Sequence, residues 1–199
     1  MSKLKRETKE TRIVADVRVG SGASTVTTDE QFLTHMVVTL AKYAGIDIDL
    51  EATGDLRHHL IEDVGILLGL ALKEEVPDEA TRYGWAQVPM DEALVEAAID
   101  VGGRPFYEGE IPSSLYEHFL HSFATNLDAT LHVRVLRGTD RHHVVEAAIK
   151  ATGLALRQAL RKGDAVFSTK GSVAIERLDA EPLDESLGDE EVGDAEGRS

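Results

Sequence analysis

The chain of 199 residues has no cysteine, one tryptophan and only 5% aromatic residues. Without cysteine there is no disulfide, no thiolate nucleophile and no Cys-ligated zinc or iron–sulfur centre. Positive charge is also scarce: 21 Lys and Arg stand against 36 Asp and Glu, for a formal net charge of −15. No basic stripe is available to neutralise a phosphate backbone, which argues against a nucleic-acid partner. A small anionic substrate needs only a local cationic pocket and stays open. No apolar run approaches the roughly 20 residues of a membrane span. The opening MSKLKRETKETR is charged and lacks the apolar core of a secretory signal. These absences predict a cytoplasmic protein with no membrane partner.

What remains is an ordinary globular composition, 42% hydrophobic and 29% charged. The length suits one generous domain or two small ones. Residues 177–199, RLDAEPLDESLGDEEVGDAEGRS, hold nine acids, two arginines and no aromatic. They cannot bury enough apolar surface to offset the entropy of ordering, so they read as an acidic disordered tail.

Before the tail, strands alternate with helices. TRIVADVRVGSG (11–22), IDIDLEAT (46–53), ALVEAAIDVGGRP (93–105) and ATLHVRVLRG (129–138) read as strands, some running into turns. The segments 29–45, 58–75, 113–126 and 142–163 carry helical spacing, with Asp29 a cap and Gly45 a stop for the first. Each half thus runs strand, helix, strand, helix.

A shift of 84 residues lays one half on the other. Gly54, Arg57, His58, His59 and Glu62 fall on Gly138, Arg141, His142, His143 and Glu146, and Gly69-Leu70-Ala71-Leu72 falls on Gly153-Leu154-Ala155-Leu156. The reading is an α+β fold of two duplicated halves, 1–80 and 81–176, packed through their helical faces.

The duplicated core is HHxxE. On a helix the Glu is i+4 from the first His and i+3 from the second, so all three side chains share one side of the first turn. Imidazole with carboxylate suits Mn²⁺, Fe²⁺ or Zn²⁺. One such turn reads equally well as a polar helix start; two copies favour metal. The remaining histidines, His35, His118, His121 and His132, read on spacing alone as structural.

The chain resembles the imidazoleglycerol-phosphate dehydratase family over about residues 6–171. The resemblance rests on RETKET (6–11), FLTHM (32–36), GDLRHHLIEDVGILLG (54–69), RYG (82–84), PMDEAL (89–94), GRP (103–105), TLHV (130–133), HHVVEAAIKATGLALRQAL (142–160) and STKG (168–171), in that order and spacing. It implies two half-domains, each a four-stranded sheet with two helices, as in ribosomal protein S5 domain 2. It also implies a homo-oligomeric shell of twenty-four subunits (a 24-mer) with two Mn²⁺ at each active site, built between subunits. The implied metal ligands are His35, His58, His59, Glu62, His132, His142, His143 and Glu146. Glu10, Arg82, Arg104, Ser168, Thr169 and Lys170 match substrate positions, with cations and hydroxyls suited to phosphate. Glu10, Glu62 and Glu146 are the candidate proton carriers. The implied reaction is dehydration of imidazole glycerol phosphate to imidazole acetol phosphate.

Several positions depart from the family pattern. Thr34 stands where an acid is usual, Thr39 and Tyr43 replace Gln and His, and Asp140 replaces Asn. The loop before the first histidine pair is shortened to GDLRHH, which predicts the loss of a carboxylate that would orient a ligand imidazole. These departures keep two alternatives in view: another metal-dependent lyase acting on a phosphorylated small molecule, and a metal-storing shell.

Overall fold

The first half builds β1 (Ser2–Glu7), β2 (Thr11–Val19), β3 (Ser24–Thr28), α1 (Gln31–Ala44), β4 (Ile46–Gly54) and α2 (Arg57–Lys73). The second builds β5 (Tyr83–Met90), β6 (Ala93–Val101), β7 (Phe106–Gly109), α3 (Ser114–Asn126), β8 (Ala129–Arg137) and α4 (Arg141–Ala159). This computed structural model describes residues 2–163. Ser168, Thr169, Lys170 and the acidic segment 177–199 lie outside the described residues.

The two sheets share one topology, β1-β2-β4-β3 and β5-β6-β8-β7. In each, the first three neighbours pair antiparallel and the last pair is parallel. A parallel pair requires a crossover, which α1 supplies between β3 and β4 and α3 between β7 and β8. The four-stranded, two-helix half-domain implied by the resemblance is therefore present twice.

The strands expected from alternation are the central ones, β2, β4, β6 and β8; the four edge strands carry weaker patterns. Edge strands tolerate charge, Gly and Pro, which blur the period-2 signal. β1 reads SKLKRE, β3 is the short STVTT, β5 contains Gly84 and Pro89, and β7 has four residues. In β1 even an inward position is charged: Arg6 pairs at 2.9 Å with Asp63 of α2, whose other oxygen accepts from Thr11 Oγ1 at 2.5 Å.

Helix bounds moved by a few residues. The cap of α1 is Glu30, whose side chain accepts from the Phe32 N–H, rather than Asp29, which accepts instead from Gly54 N–H. Gly45 does end α1, in the left-handed region at φ 69°, where the missing Cβ removes the strain. α4 stops at Ala159 instead of reaching 163.

The helices pack across the halves, α2 on α3 and α1 on α4, between the two sheets. The repeated glycine sits at each crossing. A Cβ on Gly69 would lie 2.5 Å from the Phe123 carbonyl oxygen of α3, and one on Gly153 would lie 2.8 Å from Tyr43 Cβ of α1. The repeated arginine also has one job in both halves. Arg57 pairs with the α1 cap Glu30 at 2.7 Å, and Arg141 donates to Ser113, the α3 cap position, at 2.9 Å. Each arginine joins the start of one helix of its half to the start of the other.

Gly69→Ala should push α2 and α3 apart and destabilise the protein by about 1–3 kcal/mol. Denaturant unfolding measures it; a neutral substitution would mean that the crossing is looser than described.

Candidate metal centre

α1 and α4 meet near their N-terminal ends, and there three side chains converge. His35 Nε2 and His142 Nε2 each lie 3.2 Å from Glu146 Oε2. Among the described residues this is the group whose donor atoms all fall within 4.8 Å of one another. His142 and Glu146 share a face as i and i+4; His35 arrives from the other half of the chain. The histidines are exposed, whereas the Glu146 side chain is 9% exposed. Two imidazole nitrogens and a carboxylate oxygen at this spacing fit a divalent transition metal.

Glu146 is held ionised. Burial pushes its carboxyl pKa up, but hydrogen bonds from Lys150 and His35 outweigh that, and the net shift is down. Lys150 in turn is raised: burial lowers it, and the bond to Glu146 more than compensates.

The first HHxxE forms the equivalent turn on α2. His58 Nε2 lies 3.1 Å from Glu62 Oε2. The neighbour from the facing helix is His118 of α3, whose ring centroid is 5.3 Å from that of His58. α1 and α3 begin 83 residues apart, so His118 occupies the place in α3 that His35 occupies in α1. Spacing alone hid this, because the helices repeat at 83 residues and the HHxxE pairs at 84.

The second histidine of each pair is tethered by a carboxylate. His59 Nδ1 lies 2.9 Å from Asp55 Oδ1 and 3.6 Å from Glu10 Oε2. His143 Nδ1 lies 2.7 Å from Glu92 Oε2. A proton on Nδ1 donated to the carboxylate leaves the Nε2 lone pair available and fixes the ring's direction. Asp55, then Glu10 raise the His59 pKa against the effect of burial; Glu92 does the same for His143. The expected loss of an orienting carboxylate is thus corrected: the shortened loop supplies Asp55 itself. Glu92, from the β5–β6 turn, was not legible, because it lies 51 residues from its histidine.

His132 stands apart from both turns. It projects from β8 on the outer face of the second sheet, 5.5 Å from the Phe106 ring. There it lines a depression of about 540 Å³ with Tyr83, Trp85, Asp100 and Thr130. Arg82 and Arg104 flank the same sheet. Arg82 precedes β5 at φ 69° and is gripped by Asp100, with Nε to Oδ1 at 3.1 Å and Nη2 to Oδ2 at 2.9 Å. Arg104 is exposed between β6 and β7, its carbonyl accepting from Thr130 Oγ1 at 2.9 Å. Glu10 is exposed in the β1–β2 turn. One chain therefore brings His35, His142 and Glu146 together, pairs His58 with Glu62, and holds His132 on a separate surface.

The departures have partners of their own. Thr34 Oγ1 lies 2.9 Å from Thr28 Oγ1 beside the α1 cap. Thr39 is buried, and Tyr43 places its ring 5.6 Å from Lys150 Nζ. Asp140 caps α4, its carboxylate accepting from His142 N–H at 2.7 Å.

The Glu92 carboxyl is held down to about 2 from 4.5, by the Asp140 N–H first and His143 next. A depressed carboxyl adds stability above its unfolded pKa and loses it as pH falls through the folded value. In the metal-free protein, Glu92→Gln should therefore flatten the fall in Tm between about pH 4.5 and 2. An unchanged acid limb would remove Glu92 as an anchor of the α4 start.

A family model described as imidazoleglycerol-phosphate dehydratase matches residues 28–156. A protein of that name from Pyrococcus furiosus is 42% identical over 177 residues, covering 84% of this chain and 99% of the relative. One from Clostridium botulinum is 41% identical over 190 residues, covering 86% and 97%. Among solved structures, the Pyrococcus furiosus enzyme superposes with a TM-score of 0.79 at 40% identity, covering 85% of this chain and 100% of that one. The Staphylococcus aureus imidazoleglycerol-phosphate dehydratase gives 0.72 at 30% identity, with 82% and 100% covered.

Proposed function

The chain belongs to the imidazoleglycerol-phosphate dehydratase family, a hydro-lyase family of histidine biosynthesis, and we propose that it removes water from imidazole glycerol phosphate with two manganese ions per active site. The observation that carries the metal reading is the convergence of His35, His142 and Glu146 within 4.8 Å. The pair His58–Glu62 on α2 is the core of the second site. His59 and His143, aimed by their carboxylates, and His132, on its sheet face, complete the set of eight ligands.

These groups cannot all serve one pair of ions within a single chain, since His132 sits on the outer face of a sheet and the HHxxE turns on the helices. That separation supports active sites built between copies; the homo-oligomeric shell of twenty-four is what the family resemblance implies. The outer face bearing His132 also exposes Tyr83, Trp85 and Phe106, at 53%, 57% and 47%. Such an aromatic patch fits a surface covered by another copy.

The reaction breaks a bond to a poor leaving hydroxyl on the ring-attached carbon and removes a proton from the next carbon. Bound metals supply Lewis acidity at the imidazole ring. The chain's own residues bind and move protons. Arg82, Arg104, Ser168, Thr169 and Lys170 hold the phosphate and orient the glycerol arm, away from the chemistry. The Arg82 fork is already braced by Asp100, so little of its rotamer freedom is left to lose on binding. Glu10, 3.6 Å from His59 Nδ1, carries a proton to or from the substrate, and Glu62 is the more exposed of the two HHxxE carboxylates, at 42% against 9% for Glu146.

Removing metal should abolish dehydration and loosen the assembly, because ligands from different copies share the ions. Turnover of imidazole glycerol phosphate with added Mn²⁺, and sedimentation after chelation, test both. An active metal-free chain, or a His142→Ala, His143→Ala variant with unchanged activity and metal content, would overturn the reading. Lys170→Ala should mainly raise KM, by about tenfold or more, with a smaller change in kcat; an unchanged KM would free Lys170 of its phosphate role.

A further inference from the structure

Glu62 and Glu146 hold the same place in the two HHxxE turns, yet their second oxygens differ. Glu146 Oε2 faces His35 and His142, while Oε1 accepts from Lys150 Nζ at 2.8 Å. Lys150 follows Glu146 by one helical turn, on the same face. It is itself confined: its side chain is 16% exposed, Nζ lies 3.6 Å from Met90 Sδ, and the Tyr43 ring lies 5.6 Å away. The matching residue in the first copy is Ile66, which brings no charge to Glu62.

We propose that Lys150 is a positioning residue that keeps Glu146 monodentate, reserving Oε1 for itself and an open coordination position on the metal for the substrate. The inference rests on the metal reading of the His35–His142–Glu146 group. A carboxylate can bind a cation through one oxygen or two. A catalytic ion needs a vacant position, and a second oxygen from Glu146 would take it. Lys150 blocks that swing in two ways. It occupies Oε1 with a charge-assisted hydrogen bond, and its own positive charge opposes closer approach of the doubly charged ion. The site gives up some affinity in return for the vacancy. Tyr43, where the family pattern has His, sets its ring 5.6 Å from Lys150 Nζ, within reach of a cation–π attraction.

The test compares the wild-type holoenzyme with Lys150→Met and Lys150→Arg. The readouts are Mn²⁺ binding, followed by the electron paramagnetic resonance of free ion, steady-state kinetics, and crystal structures of the loaded proteins. Methionine keeps the apolar stem and releases Oε1. Lys150→Met should bind Mn²⁺ about tenfold tighter or more in half of the sites, since a neighbouring positive charge is gone. Its kcat should fall with Glu146 bound through both oxygens, and Lys150→Arg should restore wild-type affinity. Equal or weaker Mn²⁺ binding in Lys150→Met, or one-oxygen ligation in its structure, overturns the inference. A wild-type protein that binds no Mn²⁺ would instead overturn the metal reading beneath it, so the two failures are distinct.

Discussion

The close crossing of α1 on α4 and α2 on α3 is the constraint on which the site depends. Among the described residues, the His35–His142–Glu146 group forms only where a helix of one half meets a helix of the other. The crossing requires a residue without a side chain, and Gly69 and Gly153 provide it. With the backbones that near, His35 reaches Glu146 from another helix 111 residues away in the chain. The arginine that precedes each histidine pair then ties the histidine-bearing helix to the cap of its neighbour. The geometry of the His35–His142–Glu146 group is thus a product of helix packing.

Around that frame, carboxylates divide two tasks. Glu62 and Glu146 point oxygens at histidine Nε2 atoms, whereas Asp55 and Glu92 hold histidine Nδ1 atoms. The first arrangement offers anionic donors; the second fixes tautomer and ring direction. The halves reach this by different routes. Asp55 lies on the same chain segment as its histidine, four residues away, whereas Glu92 arrives from a hairpin turn. Duplication preserved the geometry and let its suppliers change. Lys150 opposite Ile66 is a further divergence, and it falls on Glu146 Oε1.

The outer sheet faces have diverged still more. On the first sheet, Lys3, Lys5, Arg12, Asp16, Arg18, Asp49 and Glu51 face outward, a surface well suited to water. On the second, Tyr83, Trp85 and Phe106 surround His132. Aromatic area of this kind is costly to leave in water. The two halves share one fold and present unlike outer surfaces.

The sequence by itself determined the duplication, the central strands, the four helices and the two HHxxE turns. Each depends on a local period or on an offset between two stretches of one chain, and both are written in residue order. The resemblance added His35, His132 and the phosphate residues, which no spacing selects. Edge strands escaped because their residues face solvent and partners in unequal measure, leaving no clean alternation. Tertiary structure alone decided which histidine meets which carboxylate. It placed His35 with Glu146 and His118 beside His58, restored an orienting carboxylate through Asp55, and put His132 on a different surface. These are contacts between residues tens of positions apart, set by helix crossing angles and backbone approach, and no one-dimensional pattern encodes a distance of that kind.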